Sequence, residues 1–366
     1  MADKTTRVLV LAVAVQLVVV GALVLWGTLG FPLPGALTGA GDRTAPASAA
    51  PPAESPPANA APPAESPPAS APPPAQSPPA SAAPPAQSPP AGAQRRQQLA
   101  PRPTADRFAA APAFALLREQ VRRYGWRPAG SASLRRLALR LRSLLPDGRF
   151  EPIPGHPRLR NVVGSIPGRG RAIVLAAHYD VEARPKGFVG ANDGAAGSAA
   201  VVWLARALAR APRRPSDRPV RFVLFDGEEE PAGCVPFLRC ALRGSKAYAR
   251  RHDGELSSLV LLDYIAEKRG LRFPREGGSD PELWGKLVTA ASDVGVGALF
   301  ERTKGVTIYD DHTPFTERGL PAIDVIDFDY PPADTLADTL DKVAARSLDA
   351  VGEAVYLLVS RLRRER

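Results

Sequence analysis

Cysteine is nearly absent: the 366-residue chain has two, Cys234 and Cys240. That excludes a disulfide-built scaffold and a cysteine-ligated zinc site, and leaves either one bridge or two buried thiols. Basic residues outnumber acidic ones, 47 against 37. No nucleic-acid motif and no basic run interleaved with aromatics accompanies that excess, so nucleic acid is not an expected partner and the arginines read as solvated surface. Large apolar side chains are almost missing from 51–94, which repeats Pro-Pro-Ala-Glu-Ser and Pro-Pro-Ala-Gln-Ser; 20 of the 41 prolines lie between Pro46 and Pro103. Such a stretch cannot build a core, and proline makes it an extended, semi-rigid spacer of about 3 Å per residue.

Ahead of the spacer, 8–29 is apolar except for Gln16 and Thr28. As a helix it would reach about 33 Å, enough for a ~30 Å hydrocarbon core, and Lys4 and Arg7 before it favour a cytoplasmic N-terminus. A cleaved signal peptide competes, because Ala45-Pro46-Ala47 follows, but the run exceeds the ~7–15 residues of a signal core. The expected organisation is a cytoplasmic 1–7, a single-pass anchor at 8–29 in a bacterial cytoplasmic membrane, a disordered linker at 30–105, and a catalytic domain at 106–366 outside the cytoplasm. Cleavage would instead release a secreted domain.

From 107 onward hydrophobic periodicity alternates. Helices are expected at 114–124, after Ser133, and at 195–210, 281–294 and 348–361; strands at 160–166, 172–177, 220–225, 258–262 and 322–326. This is an α/β pattern: one domain with a central, mostly parallel or mixed sheet covered by helices on both faces. Its site should lie at the C-terminal ends of the strands.

The acidic residues and histidines gather at those ends. His178-Tyr179-Asp180 follows one strand, Asp226-Gly227-Glu228-Glu229-Glu230 another, Asp263 ends a third, and Asn192-Asp193-Gly194 opens a helix. Carboxylates crowded at one edge repel unless protonated or bridged by cations, and a mixed His/Asp/Glu set suits zinc or a similar ion. His156 and His252, in Arg-rich surroundings, and Glu230 read as surface groups. Asp310 reads as a loop cap, and Asp180 has a turn cap as its plainer alternative.

These segments, with Gly190-Ala191-Asn192-Asp193-Gly194, Leu262-Asp263, Asp311-His312 and Gly319-Leu320-Pro321-Ala322, resemble the zinc aminopeptidase family that also contains the glutaminyl-peptide cyclotransferases. The likeness runs from about Phe114 to the C-terminus. Phe188-Val189-Gly190-Ala191 and Asp310-Asp311-His312-Thr313-Pro314-Phe315 lean towards the cyclotransferases. The resemblance implies a zinc-exopeptidase-like fold, one or two zinc ions, and peptide substrates with a free N-terminus. It implies that His178 and Asp263 bind one metal, that Asp193 bridges to a second, and that Glu229 ligates the second. Glu228 would be the general base, Asp180 would fix the tautomer of His178, and His312 would stabilise an oxyanion or position substrate.

The chain departs from the family near its end. In Asp334-Thr335-Leu336-Ala337-Asp338-Thr339, Asp334 stands where the family has a metal-binding histidine, and Ala333 where cyclotransferases often have Trp. With Asp334 as a ligand, Asp193, Asp263, Glu229 and Asp334 would neutralise two Zn²⁺, and a neutral site acidifies water less than a positive one. Three functions are therefore weighed: aminopeptidase hydrolysis as the main reading, glutaminyl cyclisation needing only one tight ion as the alternative, and a non-catalytic surface domain with a degraded metal site. Intact Glu228 argues against the third.

Overall fold

The computed structural model describes residues 97–365. The apolar segment 8–29 and the proline repeats lie outside the described residues, and among the described residues no helix is long and apolar enough to cross a membrane.

The helices and strands, in chain order, are α1 (Ala110–Glu119), α2 (Ala132–Leu144), β1 (Arg149–Ile153), β2 (His156–Ile166), β3 (Ala172–His178), α3 (Ala195–Arg210), β4 (Val220–Phe225), α4 (Phe237–Cys240), α5 (Arg243–Arg251), β5 (Leu256–Asp263), β6 (Phe273–Arg275), α6 (Pro281–Asp293), β7 (Phe300–Lys304), α7 (Thr313–Thr316), β8 (Ala322–Ile326) and α8 (Ala345–Leu362). A six-stranded sheet runs β1-β2-β4-β3-β5-β8, with β4, β3, β5 and β8 parallel and β2 antiparallel to both its neighbours. The expected mixed sheet is therefore present. β6 and β7 form a separate parallel pair.

Alternation along β3 explains why both faces are covered. Ile173, Leu175 and Ala177 join the larger core with α1, α2, α3, α6 and α8, while Val174 and Ala176 join Tyr248 of α5 and Phe315 of α7 on the other face. Successive side chains of a strand point to opposite faces, so a wholly buried strand such as β3 requires cover on each. Local signals set the helix starts. Ser131 Oγ accepts from Leu134 N at 3.1 Å to cap α2, two residues earlier than Ser133. Asp280 caps α6 ahead of Pro281. The run expected at 114–124 is α1 plus a π-type turn, Gln120–Tyr124.

Two expectations need correction. Residues 98–105, assigned to the linker, pack onto the domain: Ala100 is buried and the Gln98 carbonyl accepts from Gly270 N. Their backbone groups find partners there that a solvated spacer would leave to water. His252 is no free surface group, because its ring lies between Glu151 and Glu255, each at 3.0 Å, against Tyr248. Asp310 is buried. The two cysteines form a disulfide, Cys234–Cys240.

Candidate metal centre

Parallel strands β3, β4 and β5 end side by side, which brings their following residues to one edge. His178 is the last residue of β3 and Asp263 the last of β5; the β4–α4 loop supplies Glu228 and Glu229, and the loop entering α3 supplies Asp193. His178 Nε2 lies 3.2 Å from Asp193 Oδ1 and 3.4 Å from Asp263 Oδ1, with all three side chains buried. One ligand atom each from His178, Asp193 and Asp263 falls within 4.8 Å of the others, as it does for His178, Glu228 and Glu229. Four of the expected site residues therefore meet around a single imidazole.

The backbone is built to hold them. Asn192 N and Asp193 N donate to the buried Asp338 carboxylate at 3.0 Å, and Asn192 Oδ1 accepts from Ala266 N. Arg127, fully buried, reaches the carbonyls of Tyr179, Val189, Gly190 and Asp193. Gly194 (φ 71°) makes the turn, where an added Cβ would sit 2.5 Å from the Asp180 carbonyl. Asp180 accepts from Glu228 N and Glu229 N at 3.3 and 3.4 Å, orienting the candidate base and the candidate ligand beside it. It stands 3.7 Å from His178 Nδ1, behind the ring as expected but beyond ordinary hydrogen-bond reach.

The electrostatics favour a divalent cation at this point. Burial pushes the carboxyls of Glu228 and Glu229 well above the usual range, with their acidic neighbours adding to it, and burial raises Asp193 as well. Burial alone would lower His178; the carboxylates of Asp180, Asp193 and Asp263 outweigh it and hold the imidazole well above the ordinary range. Burial depresses Arg127 to about 10, against the pull of Asp193 and Asp180. Asp193 Oδ1 faces only the His178 ring, at 3.2 Å from Nε2. Buried carboxylates with open oxygens around a neutralisable imidazole are the donor set a zinc-like ion takes, so the residues present fit such an ion.

Asp334 and His312 stand beside the converging groups with partners of their own. Asp334 is exposed and belongs to neither converging group; its Oδ1 accepts from the Tyr264 hydroxyl at 2.8 Å. The same hydroxyl is 3.1 Å from Asp193 Oδ2. His312 is buried with both ring nitrogens directed at carboxylates, Nε2 at 3.2 Å from Glu276 and Nδ1 at 3.7 Å from Asp324. Nε2 is thus engaged by Glu276, whereas Nδ1 has no hydrogen-bond partner.

Sequence reasoning missed Arg127, Tyr264, Glu276, Asp324 and Asp338. Asp324 carried a signal, an acid in the middle of an apolar strand, and Tyr264 directly follows a ligand candidate. Arg127 and Glu276 carried none. Glu182, half-buried, was missed as well; burial and then Asp334 push it to about 7.

The domain is similar to known proteins over most of its length. A glutaminyl-peptide cyclotransferase of Bos taurus is 27% identical over 290 residues, 65% of this chain and 78% of the relative. A glutaminyl cyclase crystal structure from an Acidobacteriales bacterium superposes with a TM-score of 0.61 at 27% identity, covering 76% of this chain and 99% of that one. A Zn-dependent exopeptidase of Parabacteroides distasonis, 23% identical with a TM-score of 0.60 over 72% of this chain and all of its own, shares the fold. Residues 161–359, more than half of the chain, match Peptidase family M28, and the chain belongs to that family of enzymes.

Proposed function

We propose that this chain is a divalent-metal-dependent enzyme that acts on the N-terminus of peptides, cyclising an N-terminal glutaminyl residue with release of ammonia. The observation that carries the reading is the unequal assembly of two ion positions. His178, Asp193 and Asp263 converge on one point, whereas Asp334, which a second ion would need, is engaged by Tyr264. Hydrolysis relies on a metal to make hydroxide from water at neutral pH. Cyclisation brings its own nucleophile, the substrate's α-amine, and one ion suffices. The likeness to glutaminyl-peptide cyclotransferases supports the same choice.

His178, Asp193 and Asp263 would hold the ion, which when bound supplies Lewis-acid polarisation of a carbonyl oxygen. Glu228 takes the proton that the α-amine loses as its nitrogen bonds to the side-chain amide carbon. It then returns that proton to the departing amide nitrogen as the old carbon–nitrogen bond breaks, so ammonia leaves and Glu228 is regenerated. A buried carboxyl raised above the usual range suits both halves of that exchange. Asp180, through the amides of Glu228 and Glu229, keeps the base oriented. The apolar 8–29 segment after Lys4 and Arg7 supports tethering of this chemistry outside the cytoplasm.

The test offers the purified, zinc-loaded chain Gln-initiated peptides and a panel of aminoacyl reporters, with and without chelator. Ammonia release with no free amino acid is expected from the Gln peptides, and chelator should abolish it. Free amino acids without ammonia would establish aminopeptidase hydrolysis in its place.

A further inference from the structure

Ile326 ends β8 and is the register partner of Asp263, the last residue of β5. Neighbouring strands lie about 4.8 Å apart, and register partners in a parallel pair turn their side chains to the same face. Ile326 is therefore the neighbour of the metal centre on the β8 side. On the opposite side, beyond β3, the β4–α4 loop fills the edge with Glu228 and Glu229. Past Ile326 the edge opens into a cavity of about 170 Å³. Ile326, Ile308, Val306 and Phe328 form its apolar walls, and Arg272 and Glu276 add polar groups. Ile326 and Ile308 pack with Tyr264, whose hydroxyl is 3.1 Å from Asp193 Oδ2, so one apolar cluster joins the cavity wall to the centre.

The polar and apolar walls differ in what they leave free. Arg272 is paired with Asp329 and lies 3.7 Å from Glu301. Glu276 accepts from Gly278 N, Ile308 N and Ser279 Oγ and faces His312. Both charges are engaged before any ligand arrives. Val306 and Phe328 are not, for they stand 65% and 56% exposed at the same opening. Large apolar side chains gathered open around a concavity mark a binding site.

We propose that this cavity is the subsite for the side chain of the second substrate residue, and that it selects an apolar side chain of leucine or phenylalanine size. The inference rests on the reading of the site as one that acts on peptide N-termini, and deepens it by naming the preferred substrate class. An extended peptide advances about 3.3–3.6 Å per residue. With its first residue at His178, Asp193 and Asp263, a chain leaving towards β8 brings its second residue level with Ile326, one strand away. The side chain that enters there meets hydrocarbon on Ile308, Val306 and Phe328 and finds no unengaged charge. A charged second residue gives up water at that point and gains no partner. A glycine leaves the cavity to water and gains nothing from it.

The zinc-loaded full chain is offered Gln-Xaa-Ala-Ala peptides with Gly, Leu, Phe, Glu or Lys second. Two quantities are read: kcat/KM from whichever product forms, and Kd by calorimetry on Glu228→Gln, where binding is measured without turnover. Leu and Phe should exceed Gly on the order of tenfold in both, the scale of burying one apolar side chain in a partly open pocket. The gain should lie in KM more than in kcat, because the contact is made equally in ground and transition states. Glu and Lys should do no better than Gly. Phe328→Ala and Val306→Ala should each lower the Leu/Gly ratio, and the double variant should bring it close to one. Thermal melts establish that the variants are folded. Equal constants across the five peptides, a preference for Glu or Lys, or a Leu/Gly ratio that survives the double substitution would each overturn the inference while the peptide reading stands. A chain that neither binds nor turns over any of the peptides would sink that reading and this subsite with it.

Discussion

Two buried groups of histidine and carboxylates sit in this fold, built from the same residue types, and Glu276 of the second is held unlike Glu228 and Glu229 of the first. One is His178 with Asp193, Asp263, Glu228 and Glu229; the other is His312 with Asp310, Asp324 and Glu276. In the second, Glu276 accepts from Gly278 N, Ile308 N and Ser279 Oγ as well as facing His312. Burial there works to raise Glu276, yet those bonds and the imidazole bring it down to about 2. In the first, among the described residues, no backbone amide donates to the carboxylates of Glu228 or Glu229, and burial leaves both raised. Backbone donors make one carboxylate a stable anion; their lack leaves the other waiting for a proton or a cation. Burial and residue type alone therefore do not tell these carboxylates apart. The fixed donors around each one do.

That contrast can be broken in order of expected size. Glu228→Gln should lower turnover by about 10²–10⁴, the range for losing a general acid–base group, with zinc content unchanged; near-wild-type rates would remove Glu228 from its role. His312→Ala should act on the fold, costing about 3–5 kcal/mol because it strands buried charge. Denaturant melts would reveal it, and the folded fraction should keep its zinc. A variant of unchanged stability that loses zinc would reverse the assignment of the two groups. The smallest effect lies in pH. The folded-state value of Glu276 is depressed from the ordinary 4.5 to about 2. Its contribution to stability is therefore fully present above about pH 4.5 and lost as pH falls towards 2. Wild type should lose stability more steeply across that window than Glu276→Gln, and parallel acid-melting curves would show that Glu276 contributes no linkage.

Much of this was legible before any tertiary structure. β4 and β8 have the bounds that the apolar runs gave, and α3 likewise. Wholly buried strands are continuous apolar runs with sharp ends, so the pattern marks them well. β1, β6, β7 and α5 were missed; β6 and β7 are three and five residues long and largely outside the main sheet. The strand-end acids were also legible, since strand, acid and loop are adjacent in sequence. Arg127 was not, because its partners at 179, 189, 190 and 193 lie more than 50 residues away.

By itself the sequence determined an α/β domain with His178, Glu228, Glu229 and Asp263 at one sheet edge, because parallel pairing forces the ends of neighbouring strands together. It also marked Asp334 as a substitution in the expected ligand set. Only the tertiary structure decided what Asp334 touches and where the ring nitrogens of His312 point. Those contacts join segments 70 and 36 residues apart, and which partner a side chain finds across such a distance depends on how loops close over the sheet, something no local pattern encodes.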